Sequence, residues 1–118
     1  MYRITKEFHF SASHQLKGLA EDHPCARLHG HNYIVVVELM AKALNAQGFV
    51  RDYHDLAELK RYIDDNLDHR HLNEVLGDDM VTAERLARHF YDWCKARFFE
   101  TSAVRVSETP KTSAEYRP

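Results

Sequence analysis

The chain has 118 residues, 44% of them hydrophobic and 29% charged, and a formal net charge of −2, which predicts one soluble globular domain over residues 1–118. This charge balance gives no electrostatic reason to expect nucleic acid or an anionic membrane as a partner. No apolar run approaches the ~18 residues of a membrane-spanning helix, and the amino terminus has no apolar signal segment, so we expect a cytoplasmic protein with free thiols.

Two strands joined by a long loop are predicted in the first third of the chain. Apolar and polar residues alternate from Tyr2 to His14, which is typical of a half-buried strand. Residues 15–28 are then expected to form a loop, and an apolar segment predicts a second strand from about His29 to Met40. A loop of this length in a small domain is more often functional than decorative.

Helices and two further strands are predicted in the remainder. Asp52 is the expected N-cap of one amphipathic helix, and Thr82 is the expected N-cap of another whose apolar stripe includes Cys94. In chain order we expect a turn over 45–48, an extended segment over 49–51, a helix over 53–67, a loop over 68–73, the helix after Thr82, a strand over 103–109 and a short strand over 114–116. The order β-β-α-α-β-β predicts an α+β fold, a four-stranded antiparallel sheet with two helices on one face. Because such a sheet has two open edges, we also expect a homo-oligomer.

Three histidines form a candidate metal site. Side chains two apart on a strand point to the same face, so His29 and His31 can close on one metal ion, and a hairpin would bring His14 beside them. Three histidine ligands with an open fourth position are typical of a catalytic zinc ion. The intervening Gly30 often marks the close approach of another backbone. The alternative is a set of histidines that face solvent on a sheet.

Cys25 lies in the loop, four residues before His29. Free cysteines usually behave as small buried side chains, but the polar neighbours of Cys25 argue against deep burial. A nearby zinc ion would favour the thiolate, which can act as a nucleophile, a base or a metal ligand. Cys94, by contrast, is expected in the core.

Two acidic positions are candidates for proton transfer and ligand binding. Asp68 and His69 form an adjacent pair in which the carboxylate can orient the imidazole. Simple helix capping would also explain them, and His71 competes with His69 for the role. Glu108 falls on the apolar face of a predicted strand, where a buried carboxylate must be paired, and is expected to bind a ligand with several donors.

Together these residues resemble the 6-pyruvoyl-tetrahydropterin synthase superfamily over nearly the whole chain. The three-residue spacer between Cys25 and His29 resembles that of the bacterial members that make 6-carboxytetrahydropterin for queuosine biosynthesis. The matching motifs are Cys25-x3-His29-x-His31, His14 after a Phe-x-Phe strand, Leu67-Asp68-His69, Thr82-x-Glu84 and Glu108-Thr109.

The resemblance implies a tunnelling fold (T-fold) in which trimeric rings stack into a hexamer, with active sites between subunits. It also implies a role for each matching residue. The roles are zinc ligands at His14, His29 and His31, a catalytic proton acceptor at Cys25, a proton relay at Asp68 and His69, and an anchor for the pterin's amino-pyrimidine edge at Glu108.

The reaction implied by the resemblance converts 7,8-dihydroneopterin triphosphate to 6-carboxy-5,6,7,8-tetrahydropterin, with release of acetaldehyde and triphosphate. Charge alone indicates Lys17 and Arg27 for the triphosphate, and the motif adds Thr82 as a substrate-binding residue. Two alternatives stay open. One is triphosphate elimination alone, which gives 6-pyruvoyl-tetrahydropterin, and the other is a non-catalytic zinc-binding module in which Cys25 is a structural fourth ligand.

Overall fold

The structure is a computed structural model that describes residues 1–118. Its four strands form one antiparallel sheet in the order β1-β2-β3-β4, which confirms the predicted α+β fold class. No helix is both long enough and apolar enough to cross a membrane. The elements are β1 (Tyr2–His14), β2 (His29–Ala41), α1 (Ala57–Asn66), α2 (Leu72–Leu76), α3 (Ala83–Lys95), β3 (Thr101–Ser107) and β4 (Ala114–Tyr116), with single 3-10 turns at Pro24–Ala26 and Tyr53–Leu56.

The first two strands form the long hairpin that the alternation predicts. β1 and β2 pair in unbroken register from Tyr2 opposite Ala41 to His14 opposite His29. Because side chains on paired residues share a face, the register places the two histidines side by side at one end of the sheet. The expectation that the loop returns His14 to His29 is confirmed.

The core lies between one face of the sheet and the helices. Alternate side chains of β1 and β2, such as Phe10 and Val35, point into a cluster of 23 buried residues that includes Leu59 of α1 and Phe90 of α3. Cys94 is part of this cluster, and burial raises the pKa of its thiol to about 12. The prediction of a core thiol at Cys94 is confirmed.

The first helix begins later than predicted. Asp52 accepts a hydrogen bond from the His54 backbone N–H at 2.9 Å, as expected of an N-cap, but it caps a 3-10 turn over Tyr53–Leu56. The α-helical bonding of α1 begins only at Ala57. The preceding residues 49–51, expected to be extended, belong to no strand.

The predicted loop over 68–73 is wrong at its end, because α2 begins at Leu72. The Leu72 side chain is fully buried, and Gly77 ends the helix in the left-handed conformation with φ of 61°. Five residues are too few for a periodic pattern, so burial of Leu72 rather than local sequence sustains this helix.

The third strand also differs from its predicted bounds of 103–109. β3 starts at Thr101, and its pairing with β2 ends where Ser107 meets Ile34. Beyond that pair, β2 continues alongside β1 alone. Glu108 therefore follows the strand instead of lying within it.

Candidate metal centre and active site

Three histidines converge at the end of the β1–β2 hairpin. His14 ends β1, and His29 and His31 begin β2 on the same face of the sheet. One donor atom from each ring lies within 4.8 Å of the others, and the His14 ring is almost completely buried. The structure thus brings together the three histidines predicted to share a site.

Backbone carbonyls fix the orientation of two of these rings. His14 Nδ1 donates to the Val81 carbonyl at 2.6 Å, and His29 Nδ1 donates to the Arg27 carbonyl at 2.7 Å. A neutral imidazole that donates through Nδ1 carries a lone pair on Nε2. The two Nε2 atoms are only 2.8 Å apart, so two lone pairs face each other unless a cation lies between them. This donor set fits a bound metal ion.

Burial also favours the neutral form of two of the three rings, those of His14 and His31. Removal from water lowers the pKa of His14, although its hydrogen bond with Val81 and the charge of Glu108 act in the opposite direction. Burial likewise lowers the pKa of His31. Neutral imidazole is the form that binds metal, and three such ligands suit zinc among the divalent transition metals.

Glu108 reaches the histidine cluster from the end of β3. Its Oε2 atom lies 3.3 Å from His14 Nε2 and 3.3 Å from His31 Nε2. The side chain is 27% exposed, so the expectation of a buried strand carboxylate is wrong. The reason is that the strand ends at Ser107, which leaves the carboxylate partly open to solvent and beside the imidazoles.

Gly30 lies between two of the histidines and packs against the neighbouring strand. A Cβ atom at this position would meet the Ala12 carbonyl oxygen at 3.2 Å, which is tighter than an ordinary contact. The close backbone approach predicted from the glycine is therefore confirmed.

Asp68 and His69 lie along the outer edge of β1. Asp68 Oδ1 accepts the Ser11 backbone N–H at 2.9 Å, and the His69 backbone N–H donates to the Ser11 carbonyl at 2.6 Å. Asp68 Oδ2 lies 3.0 Å from His69 Nδ1. The hydrogen bond from Ser11, followed by that with His69, lowers the pKa of Asp68. The carboxylate is thus anchored by the strand and paired with an imidazole that is 82% exposed.

The backbone of His69 is strained, since its φ of 59° lies in the left-handed region that β-carbon-bearing residues rarely adopt. Such residues are held in place by their surroundings and concentrate at functional sites. The competing candidate His71 lacks a carboxylate partner among its hydrogen bonds, and its Nδ1 lies 3.0 Å from the Ser13 hydroxyl. The structure therefore pairs the carboxylate with His69.

Two adjoining cavities extend from His31 to the Asp68–His69 pair. One, of about 470 Å³, is lined by His31, His69 and His71 among others. The second, of about 710 Å³, is lined by His31, Asp68 and Glu108 among others. His31 borders both cavities and is the only one of the three histidines of the cluster that lines either of them.

The remaining predicted residues line neither of these cavities. Lys17 Nζ lies 3.6 Å from Asp79 Oδ1, in an exposed ion pair. Thr82 caps α3, because its hydroxyl accepts the Arg85 backbone N–H at 3.2 Å. Arg27 and Cys25 belong to the loop before β2, where Cys25 is partly buried within the turn Pro24–Ala26.

The sequence did not indicate the polar residues that hold this region together. In the sequence, Ser11 and Ser13 occupy polar positions of an alternating strand and indicate nothing more. In the structure, both form hydrogen bonds with the segment that carries His69 and His71. Asn73 is buried, with 6% of its surface exposed, although its position was expected to be a loop. No sequence pattern marks a lone buried asparagine.

Comparison with known proteins agrees with these observations. A family model described as 6-pyruvoyl tetrahydropterin synthase matches residues 3–118. The chain is 34% identical to the 6-carboxy-5,6,7,8-tetrahydropterin synthase of Synechocystis sp., over 98% of this chain and 93% of that protein. It is 30% identical to the protein of the same name from Bacillus subtilis, over 99% of this chain and 86% of that protein.

A solved structure shows the same architecture. The 6-pyruvoyl tetrahydropterin synthase of Caenorhabditis elegans superposes with a TM-score of 0.86 at 26% identity, covering 99% of this chain and 95% of that one. The family match over almost the full chain and this superposition agree on fold and ancestry. The chain therefore has the tunnelling fold and belongs to the 6-pyruvoyl tetrahydropterin synthase family.

Proposed function

We propose that this protein is a zinc-dependent lyase of queuosine biosynthesis, a single cytoplasmic domain over residues 1–118. It converts 7,8-dihydroneopterin triphosphate and water to 6-carboxy-5,6,7,8-tetrahydropterin, acetaldehyde and triphosphate. The main observation in support of the proposal is that two histidines line the same cavity. One is His31 of the proposed metal site, and the other is His69, whose imidazole is paired with the Asp68 carboxylate. The two bacterial relatives named 6-carboxy-5,6,7,8-tetrahydropterin synthase support the choice of product.

The metal ligands in this proposal are His14, His29 and His31. A zinc ion held by these residues would supply Lewis acidity toward the hydroxyl oxygens of the substrate side chain and would stabilise negative charge there. Hydrogen bonds to the carbonyls of Val81 and Arg27 hold two of the rings with Nε2 toward the ligand. Orientation of this kind is what second-layer hydrogen bonds contribute in metal sites.

Proton transfer is assigned to residues on two separate segments. The Cys25 thiolate accepts the proton from the side-chain carbon next to the pterin ring, and His69 delivers and accepts protons on the opposite side. Asp68 orients the His69 imidazole through the contact of 3.0 Å between Oδ2 and Nδ1. Two groups on separate segments allow one proton to leave as another is added.

Binding of the pterin is assigned to Glu108, whose carboxylate accepts hydrogen bonds from the donors of the amino-pyrimidine edge. Its partly exposed position beside the second cavity supports this role. Lys17, Arg27 and Thr82 are proposed contacts for the triphosphate and the rest of the substrate. Exposed ion pairs such as that of Lys17 with Asp79 are weak, so the ammonium group can turn toward a phosphate.

The quaternary structure is proposed to be a hexamer, a dimer of trimers with active sites between subunits. The free edges of the sheet support this, because β4 is only three residues long and leaves part of β3 unpaired. Pairing of sheet edges between subunits satisfies such backbone groups.

A second candidate is elimination of triphosphate alone, which gives 6-pyruvoyl-tetrahydropterin. The name of the Caenorhabditis elegans structural relative favours it. Both reactions use the same proposed residues near the metal, so the geometry of these residues does not separate them. Their products do, because only cleavage of the carbon–carbon bond releases acetaldehyde.

The test is to incubate the zinc-loaded protein with 7,8-dihydroneopterin triphosphate and to measure acetaldehyde, triphosphate and the pterin products. Equal amounts of acetaldehyde and triphosphate are expected. Triphosphate without acetaldehyde would favour the pyruvoyl product, and no consumption of substrate would contradict both enzymatic assignments.

A pair of cysteine variants tests the role of the thiol. Cys25→Ala should retain zinc and lose turnover, whereas Cys94→Ala, which removes a thiol from the core, should retain turnover per folded molecule. Loss of zinc from Cys25→Ala would instead indicate a structural fourth ligand and a non-catalytic zinc-binding module.

A further inference from the structure

The turn that carries Cys25 is held both by its own hydrogen bonds and by bonds from the residues that follow β1. None of the three residues of Pro24–Ala26 is buried, and the backbone N–H of Cys25 donates to the His23 ring at 3.0 Å. The Leu16 backbone N–H donates to the Cys25 carbonyl at 3.0 Å, and the Gln15 side chain donates from Nε2 to the Ala26 carbonyl at 2.9 Å. Both donors belong to the two residues that directly follow β1.

Gln15 is held in turn by the buried side chain of Asn73. The Gln15 backbone N–H donates to Asn73 Oδ1 at 2.9 Å, and Asn73 Nδ2 donates to the Gln15 carbonyl at 2.7 Å. The amide of Asn73 thus pairs with the backbone of Gln15 as a neighbouring strand would. This pairing extends the order of β1 past His14, next to the isolated bridge between Leu16 and Met80.

The turn is linked to the three histidines by two routes. Gln15, whose side chain bonds to the turn, follows His14 directly in the chain. The carbonyl of Arg27, the residue that ends the turn, accepts the hydrogen bond from His29 Nδ1 at 2.7 Å. A displacement of the turn therefore changes the position of Cys25 relative to the histidine cluster.

We propose that Asn73 and Gln15 are positioning residues for Cys25. Asn73 fixes the backbone of Gln15, and the Gln15 side chain then fixes the turn, so that the thiol is presented toward the ligand bound at the histidine cluster. This inference rests on the proposed function for the role of the thiol. Its physical basis is that a displacement of about 1 Å in a reacting group can cost on the order of 100-fold in rate.

The first variant to test is Gln15→Ala, because Gln15 is only partly buried and the substitution removes a single side-chain hydrogen bond. We expect kcat to fall by about 10-fold to 100-fold, with KM and zinc content within about twofold of the unmodified protein. Asn73→Asp is the second variant, since it keeps the acceptor for the Gln15 N–H and removes the Nδ2 donor. Gln47→Ala, in an exposed turn far along the chain, is the matched control and should leave kcat unchanged.

The rate of Cys25 alkylation by iodoacetamide near neutral pH separates positioning from a merely structural role. Buried Cys94 does not compete for the reagent. If the Gln15 side chain holds the thiol in place, its removal changes the accessibility of Cys25, so the proposal expects an alkylation rate in Gln15→Ala that differs from that of the unmodified protein, together with the fall in kcat. A turn that is only loosened would expose the thiol and speed alkylation, and that result with an unchanged kcat would overturn the proposal.

The alkylation measurement does not depend on turnover. If the unmodified protein fails to consume 7,8-dihydroneopterin triphosphate, the proposed function fails, yet a changed alkylation rate in Gln15→Ala, with Gln47→Ala unchanged, would still support positioning of the thiol. If turnover is present and both variants match Gln47→Ala in kcat and in alkylation rate, the positioning role is wrong and the proposed function stands.

Discussion

The Nε2 atoms of His14 and His29 lie 2.8 Å apart, and neither has a hydrogen to share if both rings are neutral, because each Nδ1 already donates to a backbone carbonyl. Two facing lone pairs repel each other. A metal ion or a proton between the rings relieves the repulsion, so the backbone bonds favour a cation at this position. The same bonds would help to keep both rings in place when the metal is removed.

Removal of the metal should therefore lower the thermal stability of the protein measurably. At free zinc about 100 times the dissociation constant, binding adds ~2.7 kcal/mol, which corresponds to roughly 10 °C in the midpoint of unfolding for a chain of this size. Differential scanning fluorimetry with and without a chelator measures this shift. The His29→Ala variant should lose the shift, and the exposed His54→Ala variant should keep it. A chelator without effect on the unmodified protein would contradict a metal site at these histidines.

If the Asp68–His69 pair transfers protons, removal of the Asp68 charge should lower kcat without unfolding the protein. Asp68→Asn keeps an oxygen that accepts the Ser11 N–H but removes the negative charge beside His69. We expect kcat to fall by about 100-fold or more, with a free energy of unfolding within ~1 kcal/mol of the unmodified protein. The matched variant is Asp64→Asn, which makes the same change on α1 at an exposed pair with Lys60. Equal kcat values for the two variants would remove Asp68 from the relay.

Much of the fold could be predicted because apolar and polar residues alternate along the strands. The alternation in β1 and β2 decides which side chains face the core, and the sheet register then follows, since a slip by one residue would expose Phe10 and Val35. The histidine cluster could be predicted for the same reason. His29 and His31 share a face by spacing alone, and a hairpin needs only its loop to return beside His14.

Features that depend on tertiary contacts could not be predicted. The helix α2 is too short to show a period, and it exists because Leu72 is buried and Asn73 bonds to the backbone of Gln15. Likewise, the contact of Glu108 with two imidazoles could be predicted only if the end of β3 at Ser107 were already known. Both depend on segments distant in the chain, which a local pattern does not report.

A comparison of two glycines tests the close packing beside the cluster. A Cβ at position 30 would lie 3.2 Å from the Ala12 carbonyl oxygen, a backbone atom in a paired strand that cannot move easily. At position 18 it would meet Met80 Sδ at 2.9 Å, but that atom is the end of a flexible side chain. Gly30→Ala should cost about 1–3 kcal/mol in unfolding by urea and weaken zinc binding, and Gly18→Ala should cost less. Equal stabilities would show that the hairpin accommodates the methyl group.

The environment of Glu38, at the end of the sheet away from the histidine cluster, predicts that the free energy of unfolding depends on pH. Its carboxylate, 8% exposed, accepts two hydrogen bonds from Arg117 at 2.7 and 3.0 Å and one from the Ser102 hydroxyl at 2.7 Å. The hydrogen bonds with Arg117 have the largest effect among these, and together the bonds lower the pKa of Glu38 from 4.5 to about 2. A lowered pKa in the folded state adds stability above the unfolded value and loses it as the pH falls toward the folded value.

Glu38→Gln should accordingly reduce the free energy of unfolding by about 2 kcal/mol near neutral pH, because the amide gives up the charge-assisted bonds with Arg117. The difference from the unmodified protein should shrink as the pH falls from 4.5 to about 2, where the carboxylate becomes protonated. Urea unfolding of both proteins across this range measures the difference directly. Glu58→Gln is the matched control, since its contact with Arg97 at 3.5 Å is exposed and screened, and it should change stability little at any pH. A difference for Glu38→Gln that stays constant down to pH 2 would mean that the carboxylate is not held ionised by Arg117.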